Sequence, residues 1–312
     1  MSAVAVPTSV APAPWVVSAP EVDAALFGWF ATHGRHLPLR EVTDPWRILV
    51  AEVMSQQTQF ARALSRAESF CAVFPTPAAL AAAAPADAIR AWAGLGYNRR
   101  AVSLHRAAVQ MVTLHGGRVP DTVDALDALP GVGPYTARAV AAQAFGLAVG
   151  PVDVNIARVL VRLVGSRPST AEVQVLADRL VDPDRPGEWI HAMMDLAGLV
   201  CLPRVAPRCA ECPLRRWCQS ADAVGGEGDL TSPTWVPPRA SSPPFAATRR
   251  WLRGALVQEL RGAPAHGWVL IAGARGLHDA AAVQAALVDL CRDGLLDRGA
   301  RGAVRLASSG ST

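Results

Sequence analysis

The sequence predicts an all-α protein carrying a small α/β, winged-helix-like module at its C-terminal end. Three observations lead there. From residue 21 to residue 200 apolar residues recur at helical spacing and no strand alternation persists. Inside that region a tight turn, Leu129-Pro130-Gly131-Val132-Gly133, separates two helical stretches. Beyond residue 220 the composition shifts to Gly, Pro and Ser, and a short unit of different pattern follows. At 312 residues, half of them apolar, the chain has room for about two domains.

In chain order, residues 1–20 are Pro- and Ala-rich without the basic start of a signal peptide, and read as a disordered leader. Residues 21–200 form the helical domain. Val22, Ala25, Leu26 and Trp29 share one face of a first helix. A loop broken by Pro38 leads to Asp44-Pro45, a cap and first-turn proline for the helix PWRILVAEVMSQQT. A helix over 60–73 follows, and Pro75, Pro77 and Pro85 punctuate short helices. GLGYNRRA leads into a helix over about 99–115. The turn opens a helix near Pro134, Asp153 opens one running to 164, and two more occupy about 171–181 and 187–200. Residues 201–219 hold a cysteine cluster and 220–248 a linker. In 249–312, two helices around a short WVLIA run are followed by LLDRGARGAVRLA, a two-stranded wing. Winged helices bind DNA, and they serve equally as protein docking units.

The net charge of +4 is too mild to establish a nucleic-acid partner. All 30 basic residues are Arg, so the chain has no side-chain amine with which to form a Schiff base. No run of 18 or more uninterrupted apolar residues occurs, and no membrane partner is expected. Cys201, Cys209, Cys212 and Cys218 fall in a C-x7-C-x2-C-x5-C pattern, more apt for a metal than for disulfides. Zinc suits the C-x2-C pair. The long first gap and the Cys212-Pro213 step suit a four-thiolate iron–sulfur cluster as well or better. Arg204, Arg208, Arg215 and Arg216 interleave with these thiols, giving a surface fit for phosphates.

Several residues have the chemistry of a site. Gly131 and Gly133 allow a turn that a Cβ would obstruct, and the amides of the helix start beyond it attract a phosphate; an ordinary αα-turn is the alternative. Glu52 lies in the apolar run ILVAEVM, where desolvation would let a carboxyl hold a proton near neutral pH. Asp153 is a natural helix cap, and a second carboxylate there completes the pair that cleaves glycosidic bonds through an oxocarbenium-like state. Gln56, Gln57 and Tyr97 are flat side chains on turns, able to wedge into an opened base stack or simply to pack.

AEVMSQQTQ, GLGYNRRA, LPGVGPYTARAV, VDVNIARVL and the four cysteines, taken together, resemble the helix-hairpin-helix DNA glycosylases that carry an iron–sulfur cluster. The match covers about residues 21–220 and looks most like the MutY-type adenine glycosylases. Tyr135 stands where the endonuclease III branch carries its lyase Lys, and Asn155 in VDVN is typical of MutY. The resemblance implies a two-lobed glycosylase domain with a [4Fe-4S] cluster on Cys201, Cys209, Cys212 and Cys218. It implies removal of adenine mispaired with 8-oxoguanine or guanine in double-stranded DNA, without lysine-dependent lyase activity. Glu52 would protonate the adenine and later activate water, Asp153 would stabilise the oxocarbenium, and Tyr135 and Asn155 would position them. Gln57 and Tyr97 would intercalate; Gly131 and Gly133 would hold phosphate, with a monovalent cation on the hairpin carbonyls. Arg35 and Arg40 match basic residues near the adenine pocket. A monomer in the bacterial cytoplasm, associated with the nucleoid, is the family default.

Four departures stand out. Leu39 replaces a Trp beside the adenine pocket, and Asp195 stands where the family often has Glu. The first cysteine gap is seven residues instead of six, and 221–312 is too short and too helical for a full Nudix-like domain. A thymine or uracil mismatch glycosylase of the same superfamily, or a catalytically impaired DNA-binding relative, are the competing expectations.

Overall fold

The protein is described by a computed structural model covering residues 19–58, 60–203, 205–222, 243–264 and 267–308. The leader through residue 18, most of the linker (223–242) and Arg204 lie outside the described residues. The helices are α1 (Ala19–His33), α2 (Pro45–Ser55), α3 (Phe60–Val73), α4 (Pro77–Ala82), α5 (Pro85–Ala91), α6 (Arg99–Leu114), α7 (Val123–Asp127) and α8 (Pro134–Phe145). They continue with α9 (Val154–Val164), α10 (Thr170–Leu180), α11 (Pro186–Leu199), α12 (Arg249–Arg261) and α13 (Ala280–Arg292). Two short strands, β1 (Leu296–Arg298) and β2 (Val304–Leu306), pair antiparallel with Asp297 opposite Arg305.

The chain divides into two compact units, one of residues 1–36 and 146–236 and the other of 37–145 and 237–312. In the first, α1 packs against α10 and α11, and α9 against α10 and α11. Leu26, Ile156, Leu160, Trp189 and Leu196 are buried at their contacts. In the second, α2 packs against α3, α6 and α8, over a core of Leu49, Met54, Phe70, Trp92, Leu104 and Met111. The C-terminal elements belong to this same unit. The Ala86 amide donates to the Ala307 carbonyl at 2.7 Å, and Arg261 reaches the Ile89 carbonyl and the Asn98 side chain at 3.0 and 2.8 Å.

Local signals account for most helix starts. The Asp44 carboxylate accepts from the Arg47 amide ahead of α2, with Pro45 in the first turn. Ser169 and Glu172 form a reciprocal capping box at α10, and Gly165 ends α9 in the left-handed region. One end differs from the sequence reading. Helix α2 stops at Ser55, although SQQT contains no breaker. The Arg100 guanidinium takes the Val53, Met54 and Gln56 carbonyls at 2.9, 2.9 and 2.6 Å and so terminates the helix from outside.

Candidate active site

The turn of the hairpin is built by α7, α8 and one obligatory glycine. Gly131 has φ +84°, and a Cβ there would lie 2.6 Å from the Ser103 Cβ on α6. Gly133 corrects the sequence expectation, because a Cβ at that position meets open space and its φ is not left-handed. Only the first glycine is required by backbone geometry. Gly131→Ala is therefore expected to lower stability by ~1–3 kcal/mol from backbone strain alone, readable by chemical denaturation. The same change at Gly133 should be nearly neutral for folding, so any loss there belongs to ligand contact.

Gln56 takes the packing role that the sequence left open. Its amide donates to the Gly131 carbonyl at 3.2 Å and the Thr136 hydroxyl at 3.3 Å. It braces the end of α2 against the hairpin, at the edge of the groove that Gln57 and Tyr97 line. Gln57, next to it, is exposed and left-handed at φ +53°, and Tyr97 is likewise left-handed at φ +43° and 38% exposed. Non-glycine residues persist in that region only where surrounding contacts over-determine them. Both line one groove of about 1100 Å³. Arg100 sits within 5.3 Å of the Trp92 ring centroid and 5.6 Å of Tyr97's; burial lowers its pKa to about 10, leaving it charged at neutral pH.

Glu52 is half-buried on α2, and the Gln143 amide of α8 donates to its Oε1 at 2.8 Å. The carboxyl is thus oriented by the helix that the hairpin starts. Tyr135 lies half-buried in the first turn of the same helix. Gln143 went unnoticed in the sequence, where the only signal is an amide inside an Ala-rich run.

Asp153 belongs to the other compact unit. Its entry is fixed by Gly150, whose Cβ position is only 2.7 Å from the Ala177 backbone of α10. The Gly150 amide donates to Asp178, and the Gln174 amide donates to its carbonyl. Asp153 caps α9: Oδ1 accepts from the Asn155 and Ile156 amides at 2.9 and 2.8 Å, and Oδ2 from the Asn155 side chain at 2.7 Å. The Asn155 side-chain Oδ1 in turn accepts from Arg158 at 3.2 Å. Arg158 also donates to the Cys201 and Ala197 carbonyls, both at 2.9 Å. A continuous chain of bonds runs from the carboxylate to the cysteine loop. Asn155 and Arg158 share one helix face at a spacing of three, a signal the sequence contained.

Cys201, Cys209, Cys212 and Cys218 border one small cavity of about 30 Å³, walled by Val159, Leu163, Leu196, Val200 and Leu214. Burial pushes the Cys212 thiol up to about 12 and raises Cys218 as well. Arg162, itself buried, donates to the Cys201 sulfur at 3.3 Å, and the Cys218 thiol donates to the Arg162 carbonyl. Among the described residues no three His, Cys, Asp or Glu side chains converge as the ligands of a lone ion would.

Other expected site residues have structural partners. Asp195 is fully buried and accepts from Arg35 through its amide at 2.8 Å, Nε at 2.7 Å and Nη2 at 2.6 Å. The pair clamps the segment after α1 onto α11. Arg40 ends half-buried in a 3-10 turn, Pro38–Glu41, in which the Leu39 side chain lies outside the described residues. Arg208 is exposed and faces Glu211 at 3.9 Å.

Comparisons with known proteins place this arrangement. The family pattern described as "HhH-GPD superfamily base excision DNA repair protein" matches residues 50–183. The chain is 38% identical over 295 residues to the adenine DNA glycosylase of Mycobacterium tuberculosis (strain ATCC 25618 / H37Rv), covering 92% of this chain and 94% of that protein. The counterpart in Homo sapiens is 39% identical over 223 residues, covering 67% of this chain and 41% of that protein. The structure of a thermostable thymine-DNA glycosylase superposes with a TM-score of 0.61 at 26% identity, over 65% of this chain and 98% of that one. A non-covalent endonuclease III–DNA complex shares the fold at a TM-score of 0.56 and 24% identity, over 67% and 98%. The mycobacterial match extends into the C-terminal module; the human one spans less of the chain.

Proposed function

Because this chain belongs to the HhH-GPD superfamily of base excision DNA repair proteins, we propose a mechanism in which it removes adenine from DNA by hydrolysing the N-glycosidic bond. Adenine excision in base excision repair is supported by adenine DNA glycosylases 38% identical over nearly the whole chain. The observation that carries the chemistry is Glu52, half-buried and held through Oε1 by Gln143 on the helix the hairpin begins.

In this reading double-stranded DNA is gripped at the Gly131–Gly133 turn, where the first amides of α8 meet a phosphate. The adenine leaves the stack, and Glu52 protonates it as the bond to the sugar breaks, its electron pair going to the base. Asp153, aimed by Asn155, stabilises the oxocarbenium sugar. Glu52, now a carboxylate, takes a proton from the incoming water. Tyr135 stands where a lysine would form a Schiff base, and no lysine exists in the chain, so strand cleavage by that route is not expected.

The partner base is proposed as 8-oxoguanine or guanine. The test is detection of the released base from duplexes carrying A·8-oxoguanine, A·G, T·G and U·G. Adenine release from the first two supports the reading, and release of thymine or uracil without adenine overturns it.

The four cysteines are proposed to hold a [4Fe-4S] cluster. Four thiols bordering one apolar cavity are the donor set a four-thiolate cluster takes. When bound it would cross-link the loop after α11 to itself, and that loop bonds to Arg158 and Arg162 of α9 through Cys201 and Cys218. Purified protein is expected to show broad visible absorbance and about four irons per chain, both lost in Cys212→Ser. A colourless protein containing zinc would refute the assignment. The module of α12, α13, β1 and β2 is proposed as winged-helix-like.

A further inference from the structure

We propose that Arg250, on α12 of the C-terminal module, is a positioning residue that holds Tyr97 in place, making the module part of the surface that handles DNA. The second half rests on the glycosylase reading above; the first half does not.

Tyr97 follows Gly94-Leu95-Gly96 and is held at φ +43° with its ring partly exposed. A β-carbon residue does not stay in the left-handed region without external support. The support is an arginine on each side. Arg100, anchored to the α2 carbonyls, lies 5.6 Å from the ring centroid. Arg250 lies 4.7 Å from it and donates to the Tyr97 hydroxyl at 2.6 Å. Arg250 is itself stacked toward the Phe245 ring at 5.1 Å, so its planar guanidinium is sandwiched between two aromatic faces.

The neighbouring charges explain why Arg250 has this task. Arg249 pairs with Asp289, and Arg253 and Arg99 pair with Asp293. Among the described residues, the polar side chain that Arg250 meets is Tyr97. The groove these residues line also takes Gln57 and Arg62, and all of them lie in one compact unit. A flat side chain that must enter a base stack loses less freedom on binding if its orientation is already fixed. Arg250 supplies that fixing from a part of the chain 153 residues away.

The chain contains two tyrosines, Tyr97 and Tyr135, so protein carrying ring-labelled 13C-tyrosine gives two assignable sets of NMR signals. In free protein, Arg250→Met is expected to shift the Tyr97 signals and leave those of Tyr135 in place, which also reports that the fold is intact. Arg250→Lys, which keeps the charge and loses the plane, should behave like Arg250→Met. Unchanged Tyr97 signals, or full rescue by Lys, overturn the proposal.

With a duplex bearing a non-cleavable 2′-fluoro-adenosine opposite 8-oxoguanine, Arg250→Met is expected to weaken binding about tenfold, or ~1.4 kcal/mol. Tyr97→Phe, which keeps the ring, should remove most of that difference, so that the double variant is little worse than the poorer single one. Strictly additive losses would make Arg250 a plain phosphate contact and overturn the positioning role. If the wild type releases no adenine while the Tyr97 signals still respond to Arg250→Met, the glycosylase reading fails and the positioning contact stands.

Discussion

Glu52→Gln is expected to lose adenine excision by about 10²–10⁴-fold while duplex binding is retained. The substitution is nearly isosteric. A glutamine carbonyl can accept the same hydrogen bond that Gln143 donates to Oε1, so the link between α2 and α8 survives. What disappears is the proton. Protonation of the base is the step that makes adenine a leaving group, and an amide at this position cannot supply it. Single-turnover rates beside electrophoretic binding separate the two effects. Unchanged turnover would return Glu52 to a helix-pairing role, and loss of binding in parallel with rate would point to a damaged fold.

Asp153 gives the second large effect, and here two roles must be separated. The carboxylate caps α9 through Oδ1 and carries negative charge held by Asn155 through Oδ2. Asp153→Ser keeps a favoured cap and removes the charge. It is expected to lose about 10²–10³-fold in excision rate with stability nearly unchanged. Asp153→Ala should lose the rate similarly and also ~1 kcal/mol of stability with the cap. Asp153→Asn is the poorer probe, because its amide can set a donor against the Asn155 amide that Arg158 orients. If Asp153→Ser retains wild-type turnover, Asp153 is a cap and nothing more.

Much of the framework was legible in the chain because its signals are local. Asp44-Pro45 and Asp153 each mark a helix start within a few residues, and the structure uses both aspartates as caps. Family membership was legible because several such motifs stand in order. The contacts that aim the site were not, since each joins residues far apart in sequence. Gln143 reaches Glu52 across 91 residues, and Arg100 reaches back across more than 40 to end α2. Without that tertiary contact SQQT continues the helical pattern, which is why the sequence reading ran α2 too far. Gly133 misled for another reason. Two glycines in one turn look equivalent on paper, and only φ distinguishes the one that needs to be glycine.

The electrostatics of the cysteine loop follow the same logic. Burial favours the neutral thiols of Cys212 and Cys218. Arg158 then connects that loop to Asn155 and Asp153 by direct bonds. The loop's order and the carboxylate's aim are therefore structurally linked within one compact unit.

The central claim is that this hairpin holds DNA for adenine removal without cutting the strand through an amine. Its most direct test is a single end-labelled duplex with adenine opposite 8-oxoguanine, incubated with the protein and scored for strand scission before and after alkali. Intact strands before alkali and breaks at the adenine position after it are the predicted result. Scission without alkali, or a covalent adduct trapped by borohydride, would contradict it.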